Sequence, residues 1–407
     1  MKYTITVARF LLLTHIYPPA IDGGSRVIAK MGEFLQSNNH QTTIVTTNCQ
    51  STDDFVSSRH NRLKSEDCRL KILRLPVITY LHRPFKLLGR YFPNFRTFSK
   101  GPIFSFNSFL KIIYLTIKFK PDYILAGPLP TNMVLYARLL RYLSTHLFHY
   151  STKLLINASF HPTDPDFQTP ILLNTLKSAD YIWTLTDFET NYFNKKLKIP
   201  KSKLILLGNG VDKSFISTPH LPTTNLLNYS TNHLLFIGSF SAHKDIPTLI
   251  KAFSLLPSKY TLTLAGQKTL YFPTIQKQID SLPKNIKNRI KIIPSFTNNY
   301  LSTLLDNSSI LISPSLQESF GLVLIEALAR GKPVIAADIP ASVEIVTKTK
   351  GGLIFKAGDP VDLKNKILST QLRSYSSTNL LNYSTTYLLN HYTWDKIGEK
   401  LCQKLHI

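Results

Sequence analysis

The chain is short of three things. It has three cysteines, Cys49, Cys68 and Cys402, an odd number with no metal-spaced pair among them. That argues against a disulfide framework and a cysteine-based metal site, and it fits a reduced, cytoplasmic setting. It has no long apolar run: the longest, such as Phe10–Leu13 and Ile112–Leu115, fall far short of the roughly 20 residues that span a bilayer. Met1 to Arg9 lacks a basic region followed by an extended apolar core, so no secretory leader is expected. Acid is also scarce, with 24 Asp and Glu against 48 Lys and Arg and a formal charge of +24.

The deficit of acid is local. No Asp or Glu occurs from Cys68 to Pro121, while Arg69, Lys71, Arg74, Arg83, Lys86, Arg90, Arg96, Lys100, Lys111, Lys118 and Lys120 accumulate. Aromatic residues interleave with them: Tyr80, Phe85, Tyr91, Phe92, Phe95, Phe98, Phe104, Phe106 and Phe109. Cations near an anionic membrane gain about 1 kcal/mol each, and interfacial aromatics add apolar burial. A nucleic-acid surface would share this composition. No recognition motif of that class accompanies it, so residues 68–121 are expected to meet an anionic membrane surface, with no nucleic-acid partner. A bias toward lysine plus ordinary core aromatics is the plainer account.

What is present suffices for real cores. The 407 residues exceed one typical domain, and 43% hydrophobic content argues against global disorder. Short apolar runs alternate with helical patterns throughout. Phe10–Leu13, Gln41–Thr46, Arg69–Leu75, Lys120–Gly127, Leu154–Ala158, Ala179–Thr186 and Lys203–Leu207 read as strands in the first half. The second half restarts with His233–Gly238, Tyr260–Ala265, Ile290–Ile293, Ile310–Ile312, Pro333–Ala337 and Gly352–Phe355. Strands alternating with helices predict an α/β chain with doubly wound parallel sheets. Between the halves, Ile216–Asn232 is rich in Ser, Thr, Pro and Asn and reads as a linker. The octapeptide Thr224–Thr231 recurs at Thr378–Thr385, too short for a structural repeat.

Four stretches carry candidate chemistry. After the first strand comes Tyr17-Pro18-Pro19-Ala20-Ile21-Asp22-Gly23-Gly24-Ser25, and a helical pattern follows. A glycine loop between strand and helix lets backbone approach a phosphate or sugar, although paired glycines also simply make turns. His161 follows the strand Leu154–Ala158, and the nearby Asp164-Pro165-Asp166 reads as a turn with acidic caps rather than a metal site. Gly238-Ser239-Phe240-Ser241-Ala242-His243-Lys244 follows the strand His233–Gly238 and supplies a cation. The stretch Ser313 to Ala327 reads as strand end, tight loop and helix start, with Glu318 in the loop and Glu326 on the helix, seven residues between them. A helix N-terminus there suits an anion, and the carboxylates can accept sugar or ribose hydroxyls.

Ser313-Pro314-Ser315 through Glu318-Ser319-Phe320-Gly321-Leu322-Val323-Leu324-Ile325-Glu326-Ala327 to Gly331-Lys332-Pro333-Val334-Ile335-Ala336 resembles the donor-sugar motif of family GT4, retaining glycosyltransferases of the GT-B fold. The Gly23-Gly24 loop resembles the first loop of the same enzymes. The resemblance implies two Rossmann-like domains facing across a cleft, residues 1–214 on the acceptor side and 215–390 holding a nucleotide-sugar, UDP- or GDP-linked. Residues 391–407 would be a terminal helix crossing back to the first domain.

The same resemblance implies site roles. Lys244 and Gly238 would lie at the donor diphosphate, with Ser239 standing where the family has arginine, a departure that removes one charge. Phe320, Gly321, Leu322 and Val323 would approach sugar and phosphate through their backbone, Glu326 would accept the ribose hydroxyls, and Glu318 would contact the donor sugar. Gly23 and Gly24 would lie between donor and acceptor, and His161 near the donor sugar. Transfer would need no metal and no cofactor, and the acceptor would be a glycan or glycolipid at the cytoplasmic membrane face. A nucleotide-sugar 2-epimerase on the same fold and a non-catalytic sugar- or membrane-binding relative are the alternatives.

Overall fold

A computed structural model of the chain describes residues 7–18, 23–49, 70–99, 101–216, 232–296, 298–372 and 378–407. Asp22, Arg69, Lys100 and most of the linker, with the first octapeptide copy, lie outside the described residues. The chain divides into two compact units, residues 1–208 with 397–407, and residues 209–396.

The first unit holds a parallel sheet of seven strands: β1 (Arg9–Leu13), β2 (Gln41–Thr47), β3 (Lys71–Leu75), β4 (Tyr123–Ala126), β5 (Lys153–Asn157), β6 (Tyr181–Thr184) and β7 (Leu204–Leu206). Their spatial order is β3-β2-β1-β4-β5-β6-β7. The central strands are covered on both faces, and Phe10, Leu11, Leu12 and Leu13 of β1 are wholly buried. Parallel strands of this kind read as continuous apolar runs because helices pack on both sides. Local chemistry sets the helix ends. Ser105 accepts a hydrogen bond from Ser108 N at 3.2 Å to start the helix Phe106–Phe119, and Lys120 closes it in the left-handed region. Thr186 accepts from Glu189 N at 3.1 Å to start Asp187–Lys195.

The second unit holds six parallel strands: β8 (His233–Ile237), β9 (Thr261–Ala265), β10 (Ile290–Ile293), β11 (Ile310–Ser313), β12 (Val334–Ala337) and β13 (Gly352–Phe355). They lie in the order β10-β9-β8-β11-β12-β13. Leu234, Phe236, Leu264, Ile312 and Ile335 build its core with Ile246, Leu249 and Phe253 of the helix Ile246–Ser254. In both sheets the chain winds outward from a central strand and then crosses back to its other side, the doubly wound pattern.

Two positions differ from the sequence reading. Backbone pairing brings Asn209–Phe215 into the second unit: Val211 N donates to Tyr392 O at 2.8 Å and Trp394 N to Val211 O at 3.2 Å. The compact units therefore divide at 208 and 396, where the resemblance implies 214 and 390. Gly23 and Gly24 do not form a loop but open the helix Gly23–Ser37. A Cβ on Gly24 would lie 2.4 Å from Cγ of Pro128, so the bare backbone of the first helical turn is what lets it pack on the segment after β4.

The terminal helix Trp394–Leu405 has Ile397, Leu401 and Leu405 buried, and the Leu405 carbonyl accepts from the Tyr123 hydroxyl at 3.3 Å. The second octapeptide copy begins the helix Thr378–His391. No helix among the described residues is long and apolar enough to cross a membrane.

Candidate functional site

In a doubly wound sheet, ligands bind outside the carboxyl ends of the strands where the winding reverses. In the second unit that point lies between the neighbouring strands β8 and β11, paired at Ile310 and Leu234. The loop after β8 carries Gly238, Ser239 and Lys244, and the loop after β11 carries Glu318, so the topology brings these loops together.

Lys244 and Glu318 form an ion pair with side chains 17% and 15% exposed. Ser315 Oγ donates to the same carboxylate oxygen at 3.1 Å, and Leu316 N donates to the His243 carbonyl at 2.8 Å, tying one loop to the other. Burial pushes the Glu318 carboxyl up, but the charge and hydrogen bond of Lys244, the Ser315 hydroxyl and nearby His243 outweigh it and hold the group below the usual glutamate range. Lys244 ends a short 3-10 turn, Ala242–Lys244, before the helix Ile246–Ser254.

Gly321 precedes the helix Leu322–Ala329 with φ +93°, where a side chain would be strained and its Cβ would meet Leu324 Cδ1 at 3.1 Å. The N–H groups of the first helical turn, Leu322 and Val323 among them, have no acceptor within the helix and form its positive end. Phe320 is buried edge-to-face on Tyr392 at 5.5 Å, so its ring is structural and only its backbone remains for a ligand. Glu326 lies on the same helix and is 8% exposed. Ser239 Oγ is 3.0 Å from Ser241 Oγ.

The remaining predicted residues belong to the first unit. Gly23 and Gly24 follow β1, and Gly24 meets Pro128 after β4, the strand beside β1 and hence the reversal point of that sheet. His161 follows β5; it is half-buried, with its ring edge-to-face on Phe167 at 5.1 Å. Asp164 Oδ1 accepts from Asp166 N at 2.9 Å and caps the 3-10 turn Pro165–Gln168.

Sequence reasoning missed Glu189. Its buried carboxylate accepts from Phe160 N at 2.6 Å and from Leu185 N at 2.5 Å, so it clamps the loop that carries His161 to the end of β6. The signal was available: Thr186 and Glu189 have the spacing of a capping box.

The acid-free stretch splits in two. Phe85 stacks on Phe95 at 5.7 Å and tilts against Phe98 at 5.5 Å between the helices His82–Leu88 and Pro93–Ser99, while Phe104 and Phe109 pack on Tyr136. Arg74 donates to the carbonyls of Tyr17 and Pro18, and Arg96 to that of Gly89. These members serve the fold. Tyr80, Leu87, Tyr91, Phe92 and Phe106 are instead exposed, beside exposed Arg83, Lys86 and Arg90.

This geometry can be set beside known proteins. Residues 221–379 match the family described as glycosyl transferases group 1. The matched segment contains Gly238, Ser239, Lys244, Glu318, Phe320 to Val323 and Glu326. An uncharacterized glycosyltransferase of Methanocaldococcus jannaschii is 30% identical over 47% of this chain and 49% of its own length. The O-antigen chain mannosyltransferase RfbU of Salmonella typhimurium is 26% identical over 44% of this chain and 47% of its own. The chain thus spans about half the length of these curated relatives. A crystal structure of HepE from Anabaena in complex with UDP and glucose superposes with a TM-score of 0.72 at 15% identity, covering 98% of this chain and 99% of that one. The fold is GT-B, two Rossmann-like parallel-sheet units.

Proposed function

We propose that the protein is a retaining, GT4-like, metal-independent glycosyltransferase that moves a sugar from a UDP- or GDP-linked donor to a hydroxyl of a glycan or glycolipid. The observation that carries this reading is the Lys244–Glu318 pair, which joins the loops after two adjacent strands at the reversal point of the second sheet. Departure of a nucleoside diphosphate needs preorganised positive charge, and Lys244 with the N-terminal end of the helix Leu322–Ala329 supplies it. Glu318 then orients the donor sugar while keeping Lys244 in place, and Glu326 receives the ribose hydroxyls. The family match over the second unit and the likeness to a UDP-bound fold relative support the donor class.

Hydrolysis of a panel of UDP- and GDP-sugars by purified protein tests this without an acceptor. One or more donors should turn over slowly, with release abolished in Lys244→Ala. Turnover of no donor, or turnover indifferent to Lys244→Ala and Glu318→Ala together, sinks the reading.

The membrane part rests on the exposed apolar residues Tyr80, Leu87, Tyr91 and Phe92 beside Arg83, Lys86 and Arg90, with no acid in the described parts of that stretch to oppose them. We assign this face to an anionic bilayer, where each cation adds about 1 kcal/mol. Vesicles containing anionic lipid should bind the protein at low salt, and Arg83→Glu with Lys86→Glu and Arg90→Glu should release it. Equal binding by that triple variant would refute the assignment.

A further inference from the structure

The loop after β8 holds more polar chemistry than its lysine. Ser239 Oγ lies 3.0 Å from Ser241 Oγ, and Ser241 Oγ lies 3.4 Å from Nε2 of His243. The three side chains form one chain along the loop, from the position where the resembled pattern has arginine to an exposed imidazole beside Lys244. The His243 carbonyl accepts from Leu316 N, so its backbone is fixed to the loop of Glu318.

Charge makes this chain consequential. Lys244 is paired with Glu318 and is followed by Asp245, so these carboxylates offset much of the charge that Lys244 offers a diphosphate. The loop after β9 adds Lys268, whose ammonium lies over the Phe272 ring at 4.3 Å; that loop is held to the β8 loop by Phe240 N, which donates to Gln267 O at 2.9 Å. From the loop after β11 the charged group is Glu318 itself. His243 is the one histidine among these groups, and histidine is the side chain whose charge changes between about pH 5 and 8.

We infer that His243 is the second cation of the diphosphate site: linked through Ser241 to Ser239, its imidazolium supplies the charge that the pattern draws from an arginine at 239. Affinity for a nucleoside diphosphate therefore rises as the pH falls. This inference rests on the donor site proposed above. It also gives the Ser239 departure a physical counterpart four residues on.

Calorimetric titration with UDP and GDP at several values from about pH 5.5 to 8 tests it, comparing wild type with His243→Gln, His243→Lys and Lys244→Ala. The ratio of wild-type to His243→Gln affinity is the readout, because it cancels protonation of the free nucleotide's terminal phosphate near pH 6. The ratio should be close to one at the alkaline end and about threefold to fivefold at the acid end, the range of an exposed charge contact. His243→Lys should bind tightly at both ends, a rescue that a structural role for the imidazole would not produce. Thermal melts establish that each variant is folded. A ratio constant across the range overturns the inference and leaves the donor site standing, provided wild type binds and Lys244→Ala does not. Failure of wild type to bind either nucleotide at any pH overturns both.

Discussion

The reversal points of the two sheets share a topology and differ in chemistry. Between β8 and β11 the loops are joined by charge, Lys244 on Glu318 with Ser315 assisting. Between β1 and β4 they are joined by packing, Gly24 against Pro128, with the buried Glu189 clamping the neighbouring loop of His161. An ion pair can be exchanged for the charge of a ligand, whereas a close backbone contact cannot be exchanged for anything and sets only shape. The difference teaches where to look for affinity and where for fit. In the proposed function the second unit takes up an anion at its ion pair, whereas the reversal point of the first sheet is fixed by packing.

The comparison can be broken most forcefully at Lys244. Lys244→Ala is expected to lower nucleotide-sugar turnover by about 10²- to 10³-fold, the loss typical of one preorganised donor, measured as nucleotide release at saturating donor. A smaller drop would show that charge is not what the second site contributes. Glu189→Ala should cost about 3 kcal/mol in urea unfolding, because two buried N–H groups lose their acceptor. The same variant should lower turnover if the His161 loop takes part.

Gly24→Ala tests packing alone. A Cβ 2.4 Å from Pro128 Cγ forces a local shift, costing about 1–3 kcal/mol in a thermal or urea melt, with nucleotide affinity unchanged. Loss of nucleotide binding there would erase the division drawn between the units. The smallest effect belongs to Glu318→Gln, about 1 kcal/mol at neutral pH. Because the folded-state pKa of Glu318 is depressed, its stabilisation is fully present above the ordinary glutamate range and is lost as the pH falls through the folded value. The stability gap between wild type and Glu318→Gln should therefore stay level from about pH 7 to 5 and close in stronger acid. A gap that widens in acid would contradict that direction.

Much of this was legible in the chain. Continuous apolar runs such as Phe10–Leu13 and Ile310–Ile312 could be read as parallel strands because burial on both faces leaves no room for alternation. The positions of Lys244, Glu318 and Glu326 were legible because each stands just after a strand or on the helix beyond it. The helices Phe272–Asp280, Pro340–Thr349 and Thr378–His391 were not read, since Pro, Thr and Asn obscure their pattern and packing is what holds them helical. The aromatic stretch was legible only in part, for another reason. Phe85 and Phe92 look alike in sequence, and which one stacks inward depends on how two short helices meet.

The sequence by itself determined the alternation of elements, the two-sheet class and the residue types at the strand ends, all of which depend on neighbours a few positions apart. Tertiary structure decided that Lys244 touches Glu318 across 74 residues of chain, that Glu189 reaches Phe160, and that Gly23 and Gly24 begin a helix. Those outcomes are contacts between segments distant in the chain. Their partners are chosen by strand order and loop packing, and local sequence carries no record of either.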